Sequence, residues 1–157
     1  MRTLRALHPP TTGPDIAQLR ALSDPPARVR ARLLPERAAI TRALAVARRF
    51  AALAGLPDAA ADRLAILVEE WVANVVEYGD APPPSRIEMR LERDGPLVRM
   101  TVSDAGVAFD PRTADLDGPN LERGGGAGLA LIAAWSRVAE YRRRGGRNRL
   151  VLEMPLS

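Results

Sequence analysis

Within the stretch AILVEEWVANVVEYG, Ala65 to Gly79, Glu70 and Asn74 stand four residues apart. On a helix that spacing projects both side chains together from one face. A carboxylate placed there can take a proton from a hydroxyl or from water. A neutral amide oxygen is a hard ligand suited to Mg²⁺, which keeps waters and phosphate oxygens in its shell. A solvated helix face carries the same kind of pair, so the spacing alone leaves both readings open.

Two further stretches offer chemistry. In VSDAGVAFDP, Asp104 falls at the end of an alternating segment, with Gly106 and Phe109 after it. A carboxylate at that place can accept a hydrogen bond from the exocyclic amine of a base, and a glycine two residues on lets a flat ring approach the backbone. A plain Asp-x-Gly turn accounts for the same residues. In ERGGGAGLALI, glycines at 124, 125, 126 and 128 run into an apolar segment. Exposed N–H groups at a helix start make an anion site, and Arg123 just before them can reach a terminal phosphate. The run is not the dinucleotide fingerprint, because it comes late and follows a long loop rather than a strand. A flexible glycine connector is the alternative.

Composition narrows the chemistry. The chain of 157 residues has no cysteine, a single histidine (His8), and arginine for all 23 of its basic residues. Disulfides, thiolate zinc sites, cysteine nucleophiles, His-based triads, a P-loop lysine and Schiff-base chemistry are therefore excluded. Carboxylates, amides, hydroxyls, arginines and backbone N–H groups remain. Residues 1–50 carry ten arginines against three acids, and residues 51–157 carry thirteen against sixteen. The basic first third suits nucleic acid, anionic lipid or an acidic protein, or it is a solvated arginine-rich surface, the reading taken here. Aromatic residues are too sparse for single-strand stacking platforms. No apolar run reaches membrane-spanning length and no signal-peptide core is present, so a soluble, cytoplasmic protein is expected.

These residues need elements to hold them. Residues 1–27 are proline-rich and linker-like, with one short helix expected at Asp15–Leu22. RVRARLLP reads as a first strand ended by Pro35. The next segment reads as a helix with Ile40, Leu44, Ala47 and Leu53–Ala54 inward and Gly55 as its stop. Asp58 starts the helix that holds Glu70 and Asn74, with Leu64, Val68, Trp71 and Val75 as its core stripe, flanked by Leu67, Val72 and Tyr78. Two alternating segments turn at Asp94-Gly95-Pro96, and a last hairpin turns at Gly145-Gly146. The order β-α-α-β-β-loop-α-β-β predicts an α+β fold. It is a two-layer sandwich whose mixed, mostly antiparallel sheet is covered on one face by about three helices.

Taken in order, the three motifs resemble the boxes of the GHKL, or Bergerat-fold, ATPases. EEWVANVVEYG resembles the N-box (E-x-x-x-N), DAGVAFDP the G1 box (D-x-G) and GGGAGLALI the G2 box (G-x-G-L). Within that superfamily the chain is most similar to the bacterial anti-sigma-factor serine kinases, in its compact size, its short G1-to-G2 interval, GVAFDP, LERGG…GL and the terminal RLVLEMPL. The resemblance covers about Arg28 to the C-terminus, which makes residues 28–157 the ATP-binding kinase domain and residues 1–27 an extension. It implies that Asn74 binds the Mg²⁺ bridging the nucleotide phosphates and that Glu70 is the general base for an acceptor serine. It also implies that Asp104, Gly106 and Phe109 belong to the adenine end of the ATP site. Gly124, Gly126, Gly128 and Leu129 would form its lid and phosphate end, and Arg123 would stand near the γ-phosphate. The partners implied are a sigma factor, a STAS-domain anti-sigma-factor antagonist and a second copy of the chain. Three departures stand out: Tyr78 where a histidine is frequent, Ala105 where asparagine is common in the G1 box, and the proline-rich extension.

The function expected is thus an ATP-dependent anti-sigma serine/threonine kinase with Mg²⁺ and ATP as cofactors. An ATP-sensing partner-binding module without transferase activity is the alternative. A nucleic-acid binder using the N-terminal arginines ranks third.

Overall fold

The computed structural model describes residues 27–114 and 125–157. The helix expected at Asp15–Leu22, Arg123 and Gly124 lie outside the described residues. The element order is β1 (Arg28–Leu33), α1 (Ala38–Leu53), α2 (Asp58–Tyr78), β2 (Ile87–Asp94) and β3 (Leu97–Asp104), followed by a 3-10 turn at Pro111–Thr113, α3 (Gly125–Trp135), β4 (Arg137–Arg144) and β5 (Arg147–Pro155).

The strands form one sheet in the order β1-β2-β3-β5-β4. Every neighbouring pair is antiparallel, so the parallel component of the expected mixed sheet is absent among the described residues. Both hairpins turn where the glycines predict. Gly95 has φ 57°, and Gly145 and Gly146 have φ 57° and 73°. Two successive left-handed residues are what a two-residue hairpin matched to strand twist requires.

Period-two alternation divides the sheet into two faces. Ile87, Met89 and Leu91 of β2, Val98, Met100 and Val102 of β3, and Leu150, Leu152 and Met154 of β5 are buried. They pack under the helices with Phe50, Leu64, Leu67, Val68 and Val72. Each such side chain contributes about 1.5–3 kcal/mol on burial.

The helix faces differ in two places from expectation. In α1 the buried residues are Ala39, Ala43, Ala47, Phe50 and Ala51, whereas Ile40 and Leu44 are half-buried and Leu53 is 62% exposed. The helix turns inward a face of four alanines anchored by Phe50, rather than the one that carries Ile40 and Leu44. Gly55, at φ 58°, ends the helix. Leu56 N–H donates to Ala51 O and Gly55 N–H to Ala52 O, the paired bonds of a Schellman ending. Arg93 Nη1 adds a cation on the last carbonyls, 2.6 Å from Ala54 O. In α2 the expected stripe is buried, except that Tyr78, on the last turn, is 41% exposed and not a core residue.

The face of the sheet away from the helices is charged. One rung crosses all five strands as Arg28–Glu92–Arg99–Glu153–Arg137. Arg28 Nε donates to Glu92 Oε1 at 2.9 Å, Arg99 Nη2 to Glu153 Oε1 at 2.9 Å, and Arg137 pairs with Glu153 Oε2. Opposite charges on directly opposed cross-strand positions stabilise the pairing.

Candidate functional site

A cavity of about 320 Å³ opens between α2, the loop after β3, α3 and β5. Trp71, Asn74, Val75 and Tyr78 reach it from α2, Asp104 and Asn148 close its floor, and Val107, Phe109 and Leu129 complete its walls. Trp71 and Phe109 stack with ring centroids 6.0 Å apart and an interplanar angle of 28°. The result is an apolar slot with a few polar groups at one end, the usual build of a small-molecule site.

Asp104 is the last residue of β3 and in phase with Val98, Met100 and Val102, so it points inward and is only 4% exposed. Its Oδ1 accepts from Gly106 N–H at 2.9 Å and from Asn148 Nδ2 at 3.0 Å. No hydrogen bond to Oδ2 occurs among the described residues. One oxygen therefore anchors the side chain, and the other remains to accept from a donor in the cavity.

Gly106 does not line the cavity. A Cβ on it would stand 2.6 Å from Gly79 O and 2.9 Å from Asp104 Oδ1. Its glycine lets the loop press on the end of α2, where Val107 N–H donates to Gly79 O at 2.7 Å. That close backbone approach requires glycine here.

Asn74 faces the cavity, and its Nδ2 is buried with no hydrogen-bond partner. Leaving such a donor unmet costs about 1–3 kcal/mol. The position thus fits a residue whose partner is a ligand. No group of three or more His, Cys, Asp or Glu able to hold a metal occurs among the described residues. A metal at Asn74 would have one protein oxygen and take the rest of its shell from phosphate and water. That all-oxygen donor set fits a hard divalent ion such as Mg²⁺ and offers nothing to a metal that prefers nitrogen or sulfur.

Glu70 stands apart from the cavity lining. Its carboxylate lies under the first turns of α3, where a Cβ on Gly128 would fall 2.0 Å from Glu70 Oε2. An alanine there would have to displace the end of the Glu70 side chain. Burial raises the Glu70 carboxyl above the ordinary glutamate value of 4.5, and the charges of Glu69 and Glu77 push it further up. Desolvation of this kind makes a carboxylate a better proton acceptor. Gly126 and Gly128 are buried in the same turns of α3, and Leu129 turns from them into the cavity. Arg63, which shares a stripe with Glu70 on the helical wheel, instead donates to Leu156 O at 3.0 Å and ties α2 to the C-terminal strand.

Three residues of the last hairpin hold the site and are missing from the motifs. Asn148 Nδ2 donates to Val107 O at 2.8 Å as well as to Asp104. Its Oδ1 accepts from Tyr141 Oη–H and from Arg143 Nη1, each at 2.9 Å. Tyr141 Oη accepts from Phe109 N–H at 3.0 Å, and Arg143 Nη1 donates to Gly106 O at 2.7 Å. The Asp104 loop is thereby clamped from Gly106 to Phe109. A signal exists in the sequence: Asn148 is in phase with Leu150, Leu152 and Met154, and a polar residue at an inward position calls for partners.

Residues 33–154 match a family model, that of the histidine kinase-like ATPase domain. No curated protein sequence matches the chain significantly. Among solved structures the chain is similar to the blue-light activated histidine kinase of Erythrobacter litoralis, at TM-score 0.50 and 22% identity over 65% of this chain and 32% of that one. It is also similar to the histidine kinase domain of that protein, at TM-score 0.47 and 21% identity over 62% of this chain and 45% of that one. The first of these likenesses speaks to the fold, and the chain spans about a third of that kinase's length.

Proposed function

The chain belongs to the histidine kinase-like ATPase domain family, and from that membership we propose that it is a cytoplasmic anti-sigma-factor serine/threonine kinase. It binds Mg-ATP, phosphorylates a serine of a STAS-type anti-sigma-factor antagonist, sequesters a sigma factor and works as a homodimer. The observation that carries the nucleotide site is Asp104: a buried carboxylate with Oδ1 anchored twice and Oδ2 left toward an apolar slot. That slot takes a flat base, the Trp71–Phe109 pair gives it an aromatic wall, and Asp104 accepts from the exocyclic amine.

Asn74 would hold Mg²⁺, which would neutralise charge developing on the phosphates. Glu70 takes the proton of the acceptor serine, whose oxygen bonds to the γ-phosphorus as ADP leaves. The helix start at Gly125–Gly128 lends its N–H groups to the phosphate end. Most of the work is positioning and charge neutralisation.

One observation favours a second reading, an ATP-sensing partner-binding module without transfer. Glu70 is packed against Gly128 instead of opening into the cavity. Both readings require ATP binding that is lost in Asp104→Asn, read by calorimetry. They separate when the protein is incubated with radiolabelled Mg-ATP and a STAS antagonist encoded beside it. Label on the antagonist that disappears in Glu70→Gln supports the kinase. ATP binding with no label supports the sensor.

A further inference from the structure

The open face of the sheet holds a second concavity, a groove of about 580 Å³ lined by Arg30, Arg90, Arg149, Thr101 and Ser103, with Glu88 at its edge. It is separated from the nucleotide cavity by the sheet itself. From its charge and shape we infer that it docks a carboxylate-bearing, acidic segment of a protein partner.

The carrying observation is an imbalance in the cross-strand pairs. In β1, Arg28 pairs with Glu92 and Arg32 with Glu88. Arg30, between them, faces Arg90 across the strands and has no ion pair or hydrogen bond among the described residues. Like charges directly opposed on a strand pair are destabilising. Arg90 spends one nitrogen on Glu92, at 2.5 Å, and its Nε is buried without an acceptor. On the far wall Arg149 shares one carboxylate oxygen of Glu140 with Arg142, at 3.3 Å and 3.0 Å. Guanidinium donors thus outnumber acceptors around a concave floor that also offers two hydroxyls, from Thr101 and Ser103. An incoming carboxylate relieves the Arg30–Arg90 repulsion and meets forked donors of the right geometry.

The other occupants fit less well. Glu92 of the rung and Glu88 at the groove edge interrupt the positive face, so its donors stand at the separate points Arg30, Arg90 and Arg149 rather than along a continuous track. No aromatic residue lines the groove for base stacking. A second copy presenting this face brings Glu88 and Glu92 already paired with Arg32 and with Arg28 and Arg90, and so offers no free carboxylate to Arg30.

The test is binding of a fluorescently labelled oligoglutamate peptide to the full chain at low salt. Inorganic phosphate, duplex DNA and phosphatidylserine vesicles are run in parallel. The peptide is expected to bind, to weaken as salt rises, and to lose about tenfold in affinity in Arg30→Glu and in Arg149→Glu. Arg30→Glu places opposite charges on the Arg90 pair, so the strand pairing is kept. Arg48→Glu, an equal charge change on the exposed side of α1, is expected to leave the affinity unchanged. The inference is overturned by no peptide binding, by an equal loss in Arg48→Glu, or by DNA, vesicles or phosphate binding Arg30 more tightly than the peptide does. ATP affinity measured on the same variants is expected to hold, which keeps this outcome separate from that of the nucleotide site.

Discussion

Asp104 and Asn148 face each other across β3 and β5, and the Asn148 amide donates to Asp104 Oδ1 at 3.0 Å. The carboxylate is thereby oriented by a neutral donor that also holds Val107 O. The proposed base-recognition residue thus depends on a residue of the last hairpin, distant in the chain but adjacent in the sheet.

Asn148→Ala removes the donors to Asp104 and Val107 and strands Tyr141 and Arg143. Stability should fall by about 1–3 kcal/mol, read as a shift in urea midpoint. ATP affinity should fall about tenfold or more, since an unanchored Asp104 must be ordered on binding. Asn148→Asp sets a second carboxylate against Asp104 and should abolish ATP binding in calorimetry.

Gly128→Ala drives a Cβ to 2.0 Å from Glu70 Oε2. The end of the flexible Glu70 side chain must swing aside, at a cost of about 1 kcal/mol. The double variant with Glu70→Ala should recover most of that stability. A double-mutant cycle in urea checks this; additive losses would mean that the two residues do not compete for the same space.

In the proposed kinase, the raised Glu70 carboxyl predicts an acid limb for phosphoryl transfer above the ordinary value of 4.5, because a proposed base acts only when ionised. Its effect on stability has the opposite sign. A carboxyl raised by folding stabilises the protein below 4.5, and that contribution is lost as pH rises through the folded value. Glu70→Gln should therefore lose transfer at every pH yet gain stability relative to the parent as pH rises from the ordinary 4.5 through the raised folded value. A pH–rate profile and matched urea titrations test the two halves.

Glu153 behaves the other way. The hydrogen bond from Arg99 outweighs burial and, with the charge of Arg137, holds its carboxyl below the ordinary 4.5. Its contribution is present above that value and disappears as pH falls through the lowered folded value. Glu153→Gln should cost about 1–2 kcal/mol at neutral pH and flatten the acid loss of stability. Urea midpoints from neutral to acid pH measure both.

Much of this protein is written locally. The hairpin glycines at 95, 145 and 146, the helix stop at Gly55, and the place of Asp104 at the end of an alternating strand depend on backbone and period alone, so the sequence predicts them. The element order and the three motifs follow from the same local signals. Other features depend on what meets what. The inward face of α1 is four alanines anchored by Phe50, which a count of bulky residues misses. Tyr78 leaves the core because the last turn of α2 runs past it to the cavity mouth. Gly106 must be glycine because it presses on the Gly79 backbone, and Gly128 leaves room for the Glu70 carboxylate; neither reason is visible along the chain. Asn148 joins the site only because β5 lies beside β3, and Arg30 stands unpaired only because Arg90 is its cross-strand neighbour. Residue types and their periods determine which chemistry is available; the pairing of distant strands decides which residues share it, because hydrogen bonds and charge pairs are set by distances in space.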